Sequence, residues 1–319
     1  MADTLTLLRA LQHDRYHSGS ALAEQFQCSR ASISGALAEA ESYGIELERK
    51  HGVGYRLIHP IVWLDEAAIA ARLPAQSVLQ LQLCSSTAST NRSLLQNGSH
   101  GQVLATEWQS AGRGRRGRSW QAPAGGALLF SLAWQFDGGA SRLAGLPLAV
   151  GACVAETLSR HGVTDIALKW PNDLLLPAQP GGWAKAGGIL IEMQGDALGP
   201  SLLVIGVGLN LAAPVGTDNA ASGLSAHGLD CDRNTLLGDV LAALETLLRT
   251  FAAEGFSPAL RQHWEARHAW QNEPVTAILP DGSRLPGLAR GLAADGSLLL
   301  DTAQGMQTLA SGDISLRRE

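Results

Sequence analysis

Four arginines fall within the six positions 113–118 of one short stretch. Residues 112–120 read Gly-Arg-Gly-Arg-Arg-Gly-Arg-Ser-Trp and are called the arginine loop below. The formal net charge of the chain is -5, and no acidic residue between Glu107 and Asp137 neutralises the loop. Guanidinium groups repel one another and bind phosphate or carboxylate through paired N–H groups, while glycines let backbone N–H groups approach the anion. The stretch predicts an anion-binding loop, with a solvated surface loop as the alternative.

The same stretch matches the dinucleotide-binding pattern G-x-G-x-x-G through glycines at positions 112, 114 and 117. That pattern requires a strand before it and a helix that opens directly after it. Residues 103–106 suit a strand, but Pro123 and the paired glycines after it prevent a helix. We therefore reject a Rossmann interpretation, and the lack of a G-x-x-x-x-G-K-[ST] pattern excludes a Walker site as well.

Three further polar signals interrupt apolar runs. Residues 169–173 read Lys-Trp-Pro-Asn-Asp and end a strand at a turn, where the lysine needs a counter-charge or a ligand. Residues 185–190 read Lys-Ala-Gly-Gly-Ile-Leu, and residues 206–210 read Gly-Val-Gly-Leu-Asn. The structural alternatives are an ordinary Asn-Asp turn, a solvated lysine at a loop tip and a strand turn. With the arginine loop, these residues suit charge neutralisation at a phosphate better than covalent catalysis by a protein nucleophile.

Composition limits the class of protein. A chain of 319 residues with 45% hydrophobic and 17% charged residues can bury a substantial core in two or three domains. The N-terminus shows no secretory signal and no apolar run is long enough to cross a membrane, so we expect a cytoplasmic protein. The four cysteines, at positions 28, 84, 153 and 231, form no C-x-x-C pair. We therefore expect reduced thiols and no metal site.

Residues 1–60 follow the order of a winged helix-turn-helix. Apolar spacing predicts helices over residues 5–11, 20–26 and 30–43, with Ser20 and Ser29 as N-caps and Gly44 as the stop of the third. Alternation at 45–48 and 55–58 predicts a hairpin.

This unit is a candidate DNA-binding module. The third helix would bring four residues to base edges: Ser29, Arg30, Ser32 and Ser34. The hairpin would place Arg49, Lys50 and His51 against phosphates. Residues 1–60 hold six Lys+Arg against seven Asp+Glu, so the basic surface typical of DNA binding is missing. The alternative is a winged helix used for dimer contacts or regulation.

Residues 61–270 mix strand and helix signals. Strands are predicted over residues 78–83, 103–108, 127–136, 166–170, 174–176, 189–193 and 202–207. Helices are predicted from Ser89 onwards and over 143–161, 235–253 and 258–270. The pattern is typical of an α+β unit with a mixed sheet. Residues 271–319 hold short alternating runs with Asp-Gly turns, which predict a small antiparallel, SH3-like β-barrel.

Together the motifs resemble the biotin–protein ligase family. The resemblance is carried in order by Ser89-Thr90-Asn91, the arginine loop, residues 169–173, 185–190 and 206–210, and the terminal Ile-Ser-Leu-Arg at 314–317. The winged helix resembles that of the family's bifunctional ligase and biotin-operon repressors. Lipoate ligases share the catalytic fold but are not expected to carry this arginine loop.

The resemblance implies an enzyme that joins biotin to ATP, releases pyrophosphate and holds biotinyl-5'-adenylate. Biotin would then pass to one lysine of the biotin carboxyl carrier protein of acetyl-CoA carboxylase. The implied small molecules are ATP, biotin and Mg²⁺. The implied macromolecular partners are the carrier protein, operator DNA and, on adenylate binding, a second copy of the chain, with no membrane partner.

The resemblance also implies residue roles. Lys185 would neutralise the reacting carboxylate and α-phosphate, Asp173 would orient the incoming lysine amine, and Arg115 would hold the adenylate. The implied biotin contacts are Ser89, Thr90, Asn91, Gln109, Arg113, Gly114, Arg115 and Lys185. The implied nucleotide contacts are Arg113, Arg115, Arg116, Trp120, Asn172, Asn210 and Arg317. The arginine loop would order over the labile adenylate and exclude water.

Two stretches depart from the family pattern. Residues 35–38 fill the third helix with small residues, and residues 212–226 are small and polar where the family has a loop over adenine. Two other classes of protein therefore stay open. The first is a winged-helix transcription factor whose larger domain only senses a ligand. The second is an RNA- or DNA-binding arginine loop, which the isoelectric point near 6.0 disfavours.

Overall fold

Three units follow one another along the chain in the computed structural model of this protein. The structure describes residues 3–137, 139–179, 181–195, 200–214, 220–310 and 314–318. The N-terminal unit consists of α1 (Thr4–Arg9), α2 (Gly19–Gln25), α3 (Arg30–Ala38) and the antiparallel hairpin of β1 (Leu47–Lys50) and β2 (Gly54–Leu57). Asp3, Ser18 and Ser29 cap the three helices with side-chain oxygens. The order is the predicted winged helix-turn-helix.

Two details of this unit correct the expectation from sequence. The N-cap of α2 is Ser18, whose oxygen accepts from the Ala21 N–H, so the expected cap at Ser20 is wrong. The expected third helix over 30–43 is also wrong, because the α-helix ends at Ala38 and a 3₁₀ turn follows over Ala40–Tyr43. The chain tightens to i→i+3 bonds there before Gly44 takes a φ of 69°.

The central unit is built on a seven-stranded mixed sheet. Its elements are α4 (Glu66–Ala70), β3 (Gln80–Thr87), α5 (Thr90–Asn97), β4 (Gln102–Gln109), β5 (Ala127–Phe136), α6 (Leu146–Arg160), β6 (Ala167–Lys169), β7 (Asp173–Ala178), β8 (Gly182–Gly195), β9 (Ser201–Asn210), α7 (Arg233–Glu254) and α8 (Pro258–Glu265). The strand order is β3-β4-β5-β9-β8-β7-β6, parallel between β3 and β4 and antiparallel elsewhere. No helix within the described ranges is long and apolar enough to cross a membrane.

Both faces of this sheet are covered, which explains the long apolar run of β5. One face packs against α5 through a small cluster that includes Leu94, Ala133 and Val204. The other face packs against α6 and α7 in the main core. Nine of the ten residues of β5 are therefore buried.

Several central elements differ in length from the prediction. The helix expected from residue 143 begins at Leu146, because Gly145 takes a φ of 77° that closes the preceding turn. The helix predicted over 258–270 ends at Glu265, and the chain then runs to Trp270 without a helix. Strand β8 is much longer than the predicted 189–193, and it includes Lys185. The alternative of a solvated lysine at a loop tip is thus wrong, because Lys185 lies within a strand whose pairing with β7 and β9 extends through residues 187–188.

The C-terminal unit is a five-stranded antiparallel sheet. Its strands are β10 (Pro274–Ile278), β11 (Arg284–Leu292), β12 (Leu298–Thr302), β13 (Gly305–Leu309) and β14 (Ser315–Arg318), in the order β13-β12-β11-β10-β14. The two predicted Asp-Gly turns join β10 to β11 and β11 to β12, with Gly282 and Gly296 at positive φ. The Trp170 indole N–H donates to the Gly296 carbonyl at 3.1 Å and ties this unit to the central one.

The winged helix packs directly against the central unit. Arg9 of α1 donates to the Glu107 carboxylate of β4 at 2.8 Å, and Tyr43 meets Trp108 edge to face with 4.8 Å between the ring centroids. Ala124, just after the arginine loop, lies in the hydrophobic core of the winged helix and donates its N–H to the Tyr43 carbonyl. The two units therefore meet at both ends of the arginine loop.

Candidate active site

One cavity of about 830 Å³ collects the polar residues that the sequence predicted for ligand binding. It lies at the end of the central sheet where β3 meets α5, and β14 of the C-terminal unit forms part of its wall. The predicted catalytic, biotin and nucleotide residues that line it are Ser89, Thr90, Asn91, Gln109, Arg113, Gly114, Arg115, Arg116, Trp120, Asn172, Asp173, Lys185, Asn210 and Arg317. The residues predicted to contact DNA lie outside it, in the winged helix.

The arginine loop folds back on itself at the mouth of this cavity. The Trp120 N–H donates to the Gly112 carbonyl at 2.8 Å, and the Gly114 N–H donates to the Arg118 carbonyl at 2.7 Å. The tip turns through Arg116 and Gly117, which have φ values of 59° and 69°. No helix follows the loop in residues 118–126, as the rejection of the Rossmann interpretation required.

Two arginines of the loop are held by side chains across the cavity. Arg113 donates to the Glu192 carboxylate at 2.6 Å, and Arg115 donates to the Asn172 carboxamide oxygen at 3.2 Å. The Arg113 Nε is buried with no partner among the described residues. An unpaired buried donor of this kind is costly unless a ligand accepts from it.

The Ser89-Thr90-Asn91 motif begins α5 and forms a buried polar network. Ser89 caps the helix, and the Thr90 backbone N–H donates to the Gln109 side-chain oxygen at 2.8 Å. The Ser131 hydroxyl of β5 bonds to both Thr90 and Asn91, at 2.7 and 2.5 Å. Donors and acceptors held in this way, with little exposure, are suited to a small polar headgroup.

Glu192 is a site residue that sequence reasoning did not single out. Its carboxylate accepts from the Asn91 amide at 2.9 Å and from Arg113 at 2.6 Å, so it joins the motif at α5 to the arginine loop. Ser131 was missed in the same way, because each lies in an apolar strand that reads as core. The available signal was a polar residue within a strand buried on both faces.

Two lysines share one carboxylate at the start of β7. The Lys185 ammonium lies 2.5 Å from Asp173 Oδ1, and the Lys169 ammonium lies 3.7 Å from Asp173 Oδ2. Burial raises the pKa of the Asp173 carboxyl, but the nearby Lys185 and Lys169 outweigh it and hold this pKa below its usual value. Burial lowers the pKa of Lys169 despite the attraction of Asp173. The predicted need of Lys169 for a partner is thus met by Asp173, while the Lys169 ammonium also lies 5.2 Å from the Trp270 ring centroid.

Trp120 lies against a floor of glycines. A Cβ on Gly208 would come within 2.7 Å of the Trp120 ring, and a Cβ on Gly188 would contact both that ring and Lys185. The Trp120 indole nitrogen is buried with no hydrogen-bond partner among the described residues. The glycines at 187–188 and 206–208 therefore allow neighbouring side chains to pack directly against the backbone of these strands.

Two of the predicted nucleotide residues, Asn172 and Asn210, are bonded to the backbone of β8. The Asn172 amide donates to the Ile189 carbonyl at 2.8 Å, and the Asn210 amide donates to the Lys185 carbonyl at 3.3 Å. Of the small, polar segment 212–226, residues 215–219 lie outside the described residues. Ala220 and Ser222 pair with the backbone of Lys185, so this segment runs along β8 into the cavity.

In the winged helix, the residues predicted to contact DNA differ in their availability. Arg30 and Ser34 of α3 and Lys50 of the hairpin are exposed. Ser29 and Ser32 are engaged with each other as a helix cap, with 2.9 Å between the hydroxyl oxygens. Arg49 donates to the Leu37 carbonyl at the end of α3.

Comparison with known proteins gives matches to all three units. Residues 81–210 match the biotin/lipoate A/B protein ligase family, residues 272–317 match the biotin protein ligase C-terminal domain, and residues 4–56 match an HTH domain. The chain is 35% identical to the bifunctional ligase/repressor BirA of Salmonella typhimurium, over 99% of each chain. It is 32% identical to the biotin–[acetyl-CoA-carboxylase] ligase of Mycobacterium tuberculosis, over 79% of this chain and 95% of that one. The structure of the Aquifex aeolicus biotin protein ligase in complex with biotin and ATP matches with a TM-score of 0.65 and 29% identity, over 75% of this chain and 99% of that chain.

Proposed function

The chain belongs to the biotin protein ligase family, and from this we infer that it is an ATP-dependent ligase that attaches biotin to a lysine of a biotin carboxyl carrier protein. The observation that carries this inference is the arrangement of Lys185, Asp173 and the arginine loop around one cavity that also contains the buried network at Ser89–Asn91. A polar pocket for a headgroup adjoins a cluster of cations for a carboxylate and a phosphate.

We propose that Ser89, Thr90, Asn91 and Gln109 bind the ureido end of biotin. Ser131 and Glu192 hold the buried side chains of Thr90 and Asn91, and Gln109 accepts from the Thr90 N–H. Arg113, Gly114, Arg115 and Lys185 line the same cavity, and we propose that they bind the carboxylate end of biotin. This arrangement would fix one end of the molecule and bring cations to the other.

In the first half-reaction a biotin carboxylate oxygen attacks the α-phosphorus of ATP, and the bond to pyrophosphate breaks. Carboxylate and triphosphate repel each other, so the approach needs fixed cations. We propose that Lys185 and Arg115 supply them, and that Arg113, Arg116, Trp120, Asn172, Asn210 and Arg317 contact the nucleotide. The unpaired Trp120 indole N–H and Arg113 Nε support a ligand at these positions.

In the second half-reaction the lysine amine of the carrier protein attacks the acyl carbon, an amide forms and AMP leaves. The lysine attacks as the neutral amine, so its ammonium proton passes to solvent first, and a second proton leaves the nitrogen as the amide forms. We propose that the adenylate phosphate attracts Lys185 away from Asp173. The Asp173 carboxylate would then orient the incoming amine by accepting a hydrogen bond from it. The low pKa of the Asp173 carboxyl supports this role, because the group is already ionised when the amine arrives.

We propose that Mg²⁺ enters with ATP rather than as a resident ion. Among the described lining residues the carboxylate is that of Asp173, and it is already engaged by Lys185. Such a donor set does not suit a protein-held Mg²⁺, which takes an octahedron of oxygen ligands. On the triphosphate the ion would neutralise charge alongside the lysine and the arginines.

We propose that the winged helix binds operator DNA and that the chain is a transcriptional repressor, as the HTH match and the bifunctional relatives support. Helix α3 presents Arg30 and Ser34 on an exposed face with the small residues Ala31, Gly35 and Ala38. Small residues allow a close approach of the helix to the major groove. Since helix-turn-helix proteins bind paired half-sites as dimers, we also propose that the adenylate-bound chain forms a homodimer.

Two measurements test these proposals. Biotin-dependent exchange of pyrophosphate into ATP reports the ligase; no exchange would leave the alternative of a transcription factor that only senses a ligand. DNA binding and sedimentation with and without biotin and ATP report the repressor. Arg30→Ala is expected to weaken DNA binding and to lower the slope of affinity against salt by about one, while Arg15→Ala, an exposed control in the same unit, leaves both unchanged.

A further inference from the structure

A group of potential metal ligands lies outside the cavity described above. His161, Asp230 and Cys231 each offer one ligand atom, and these atoms lie within 4.8 Å of one another. His161 follows α6, and the two others precede α7, so the group joins the ends of two packed helices. We propose that these three residues form a binding site for one divalent transition-metal ion, best suited to Zn²⁺.

The spacing at the histidine fits a bound ion. The His161 Nδ1 lies 3.7 Å from Asp230 Oδ1. Ligand atoms around tetrahedral zinc lie roughly 3.4–3.6 Å apart, because Zn–N and Zn–O bonds are about 2.0–2.2 Å and Zn–S bonds about 2.3 Å. The Asp230 side chain is 64% exposed, so its carboxylate is free to move slightly closer to His161 Nδ1. Three protein ligands leave a fourth position for water.

The histidine is already oriented for such a role. Its second nitrogen, Nε2, lies 2.9 Å from the Asp239 carboxylate of α7, which favours the tautomer with the proton on Nε2 and the lone pair on Nδ1. Arg72 holds Asp239 in turn with two hydrogen bonds of 2.8 Å. Metal-bound histidines characteristically donate their other N–H to a carboxylate in this way.

The backbone also fixes the two ligand segments against each other. The Asp230 N–H donates to the His161 carbonyl at 3.1 Å. Gly162 and Gly228 take φ values of 88° and 86° and pack so closely that a Cβ on Gly162 would overlap the Gly228 carbonyl. The positions of the ligands are therefore set by the fold and not only by their side chains.

The local charge favours a cation. The carboxylates of Asp230, Asp232 and Asp239 act on the Cys231 side chain, and the Arg72 guanidinium opposes them. A divalent ion would offset these carboxylates and displace the thiol proton on binding. One thiolate, one carboxylate and one neutral imidazole would balance the charge of Zn²⁺, and soft sulfur disfavours Mg²⁺ and Ca²⁺.

The test uses the full chain, stripped with a chelator and titrated with Zn²⁺ against a chromophoric competitor. We expect one equivalent to bind, with an affinity that rises with pH because a thiol proton is released. Co²⁺ in place of Zn²⁺ should show a thiolate-to-metal charge-transfer band. The lack of a bound equivalent in the wild-type chain would overturn the proposal.

Variants locate the site. Cys231→Ser and His161→Gln are each expected to weaken Zn²⁺ binding at least tenfold, and Cys231→Ser to abolish the Co²⁺ band. Asp239→Asn should weaken binding about 10–100-fold without removing that band. Cys28→Ser, another partly exposed thiol, and His263→Gln are the matched controls and should bind as the wild type does. Unchanged affinity in Cys231→Ser or His161→Gln would place the ion elsewhere and refute the assignment.

Discussion

The Arg9 guanidinium lies 2.8 Å from Glu107, a carboxylate with no solvent exposure in the central sheet. The other oxygen of Glu107 accepts from Arg233 of α7 at 2.6 Å, and the Leu64 N–H, in the segment that leaves the winged helix, donates to the same carboxylate at 2.7 Å. One buried acid thus binds the winged helix, the linker and the central unit together. Two residues further along the same strand, Gln109 contacts the ligand-site motif.

We expect Arg9→Gln to loosen the docking of the winged helix without unfolding the central unit. Arg9 is about one third exposed, so its ion pair contributes about 1 kcal/mol. Hydrogen exchange should rise in α1 and β2 while the amides of β5 stay protected, and Arg15→Gln should leave the exchange pattern unchanged. Glu107→Gln should instead lower the free energy of unfolding of the whole chain by about 3–5 kcal/mol, because the buried Arg233 guanidinium loses its counter-charge. An equal rise in hydrogen exchange in Arg9→Gln and Arg15→Gln would contradict the role given to the contact between Arg9 and Glu107.

Lys185→Met should slow biotin-dependent adenylate formation by about 10²–10³-fold, because it removes the positive charge that we propose acts at the α-phosphate. Pyrophosphate exchange measures this step directly. Biotin affinity should fall far less, since the network at Ser89–Asn91 is unchanged. A loss of similar size in Lys50→Met, an exposed lysine of the winged helix, would mean that net charge rather than position accounts for the effect.

Arg115→Gly should release biotinyl-5'-adenylate faster, and the free adenylate should then biotinylate exposed lysines without selectivity. The physical reason is the loss of the proposed phosphate contact in the loop that we propose covers the anhydride. Arg15→Gly is the control, because it removes an equal charge from an exposed position of the winged helix outside the cavity. Rapid filtration measures the rate at which the adenylate dissociates. An unchanged off-rate in Arg115→Gly would contradict the proposed role of Arg115 in holding the adenylate.

Gly206→Ala should raise the KM for biotin and leave the KM for ATP nearly unchanged. The added methyl would overlap the Asn91 carboxamide and push it out of its bonds with Ser131 and Glu192. Overpacking of this kind costs about 1–3 kcal/mol. Gly182→Ala, where a Cβ meets nothing within 4 Å, should behave as the wild type in steady-state kinetics and thermal unfolding. Equal KM changes for both substrates would point to a general distortion of the sheet.

Asp173→Asn should destabilise the chain in a pH-dependent manner. The pKa of Asp173 is lowered in the folded state, so its contribution is present above the ordinary aspartate pKa of about 3.9 and is lost as pH falls through the lower folded value. The difference in Tm between wild type and Asp173→Asn should thus be constant from pH 6 to 8 and should shrink below about pH 4. A difference that grows on acidification would show that the carboxyl is not held ionised by Lys169 and Lys185.

Much of the site could be predicted because its residues break local rules. The arginine loop carries four positive charges with no acidic residue close to it in the sequence, and Lys169 ends an otherwise apolar strand. The segments 185–190 and 206–210 interrupt apolar runs with glycines and a polar residue, although both lie largely within strands that pair across the sheet. In each case the anomaly is visible in the sequence without knowledge of the fold.

The remainder depends on contacts between distant segments. Glu192 and Ser131 read as interruptions of core strands, and only their partners Asn91, Arg113 and Thr90 reveal a shared network. Cys231 read as an isolated thiol because His161 lies in another part of the chain. Helix ends were misplaced where turn geometry decided them, as at Ala38 and Gly145, since propensity alone does not distinguish a 3₁₀ turn from a continuing helix.

Ala124 belongs by sequence to the central unit, yet it fills the core of the winged helix. A shortened chain that starts near residue 61 would lack the winged helix that covers Ala124 and Trp108. These two residues would then form an exposed apolar patch beside the arginine loop. The boundary between the units along the chain therefore differs from the boundary between their hydrophobic cores. A minimal enzyme cut at that point would need polar replacements at both positions before its kinetics could be compared with those of the intact protein.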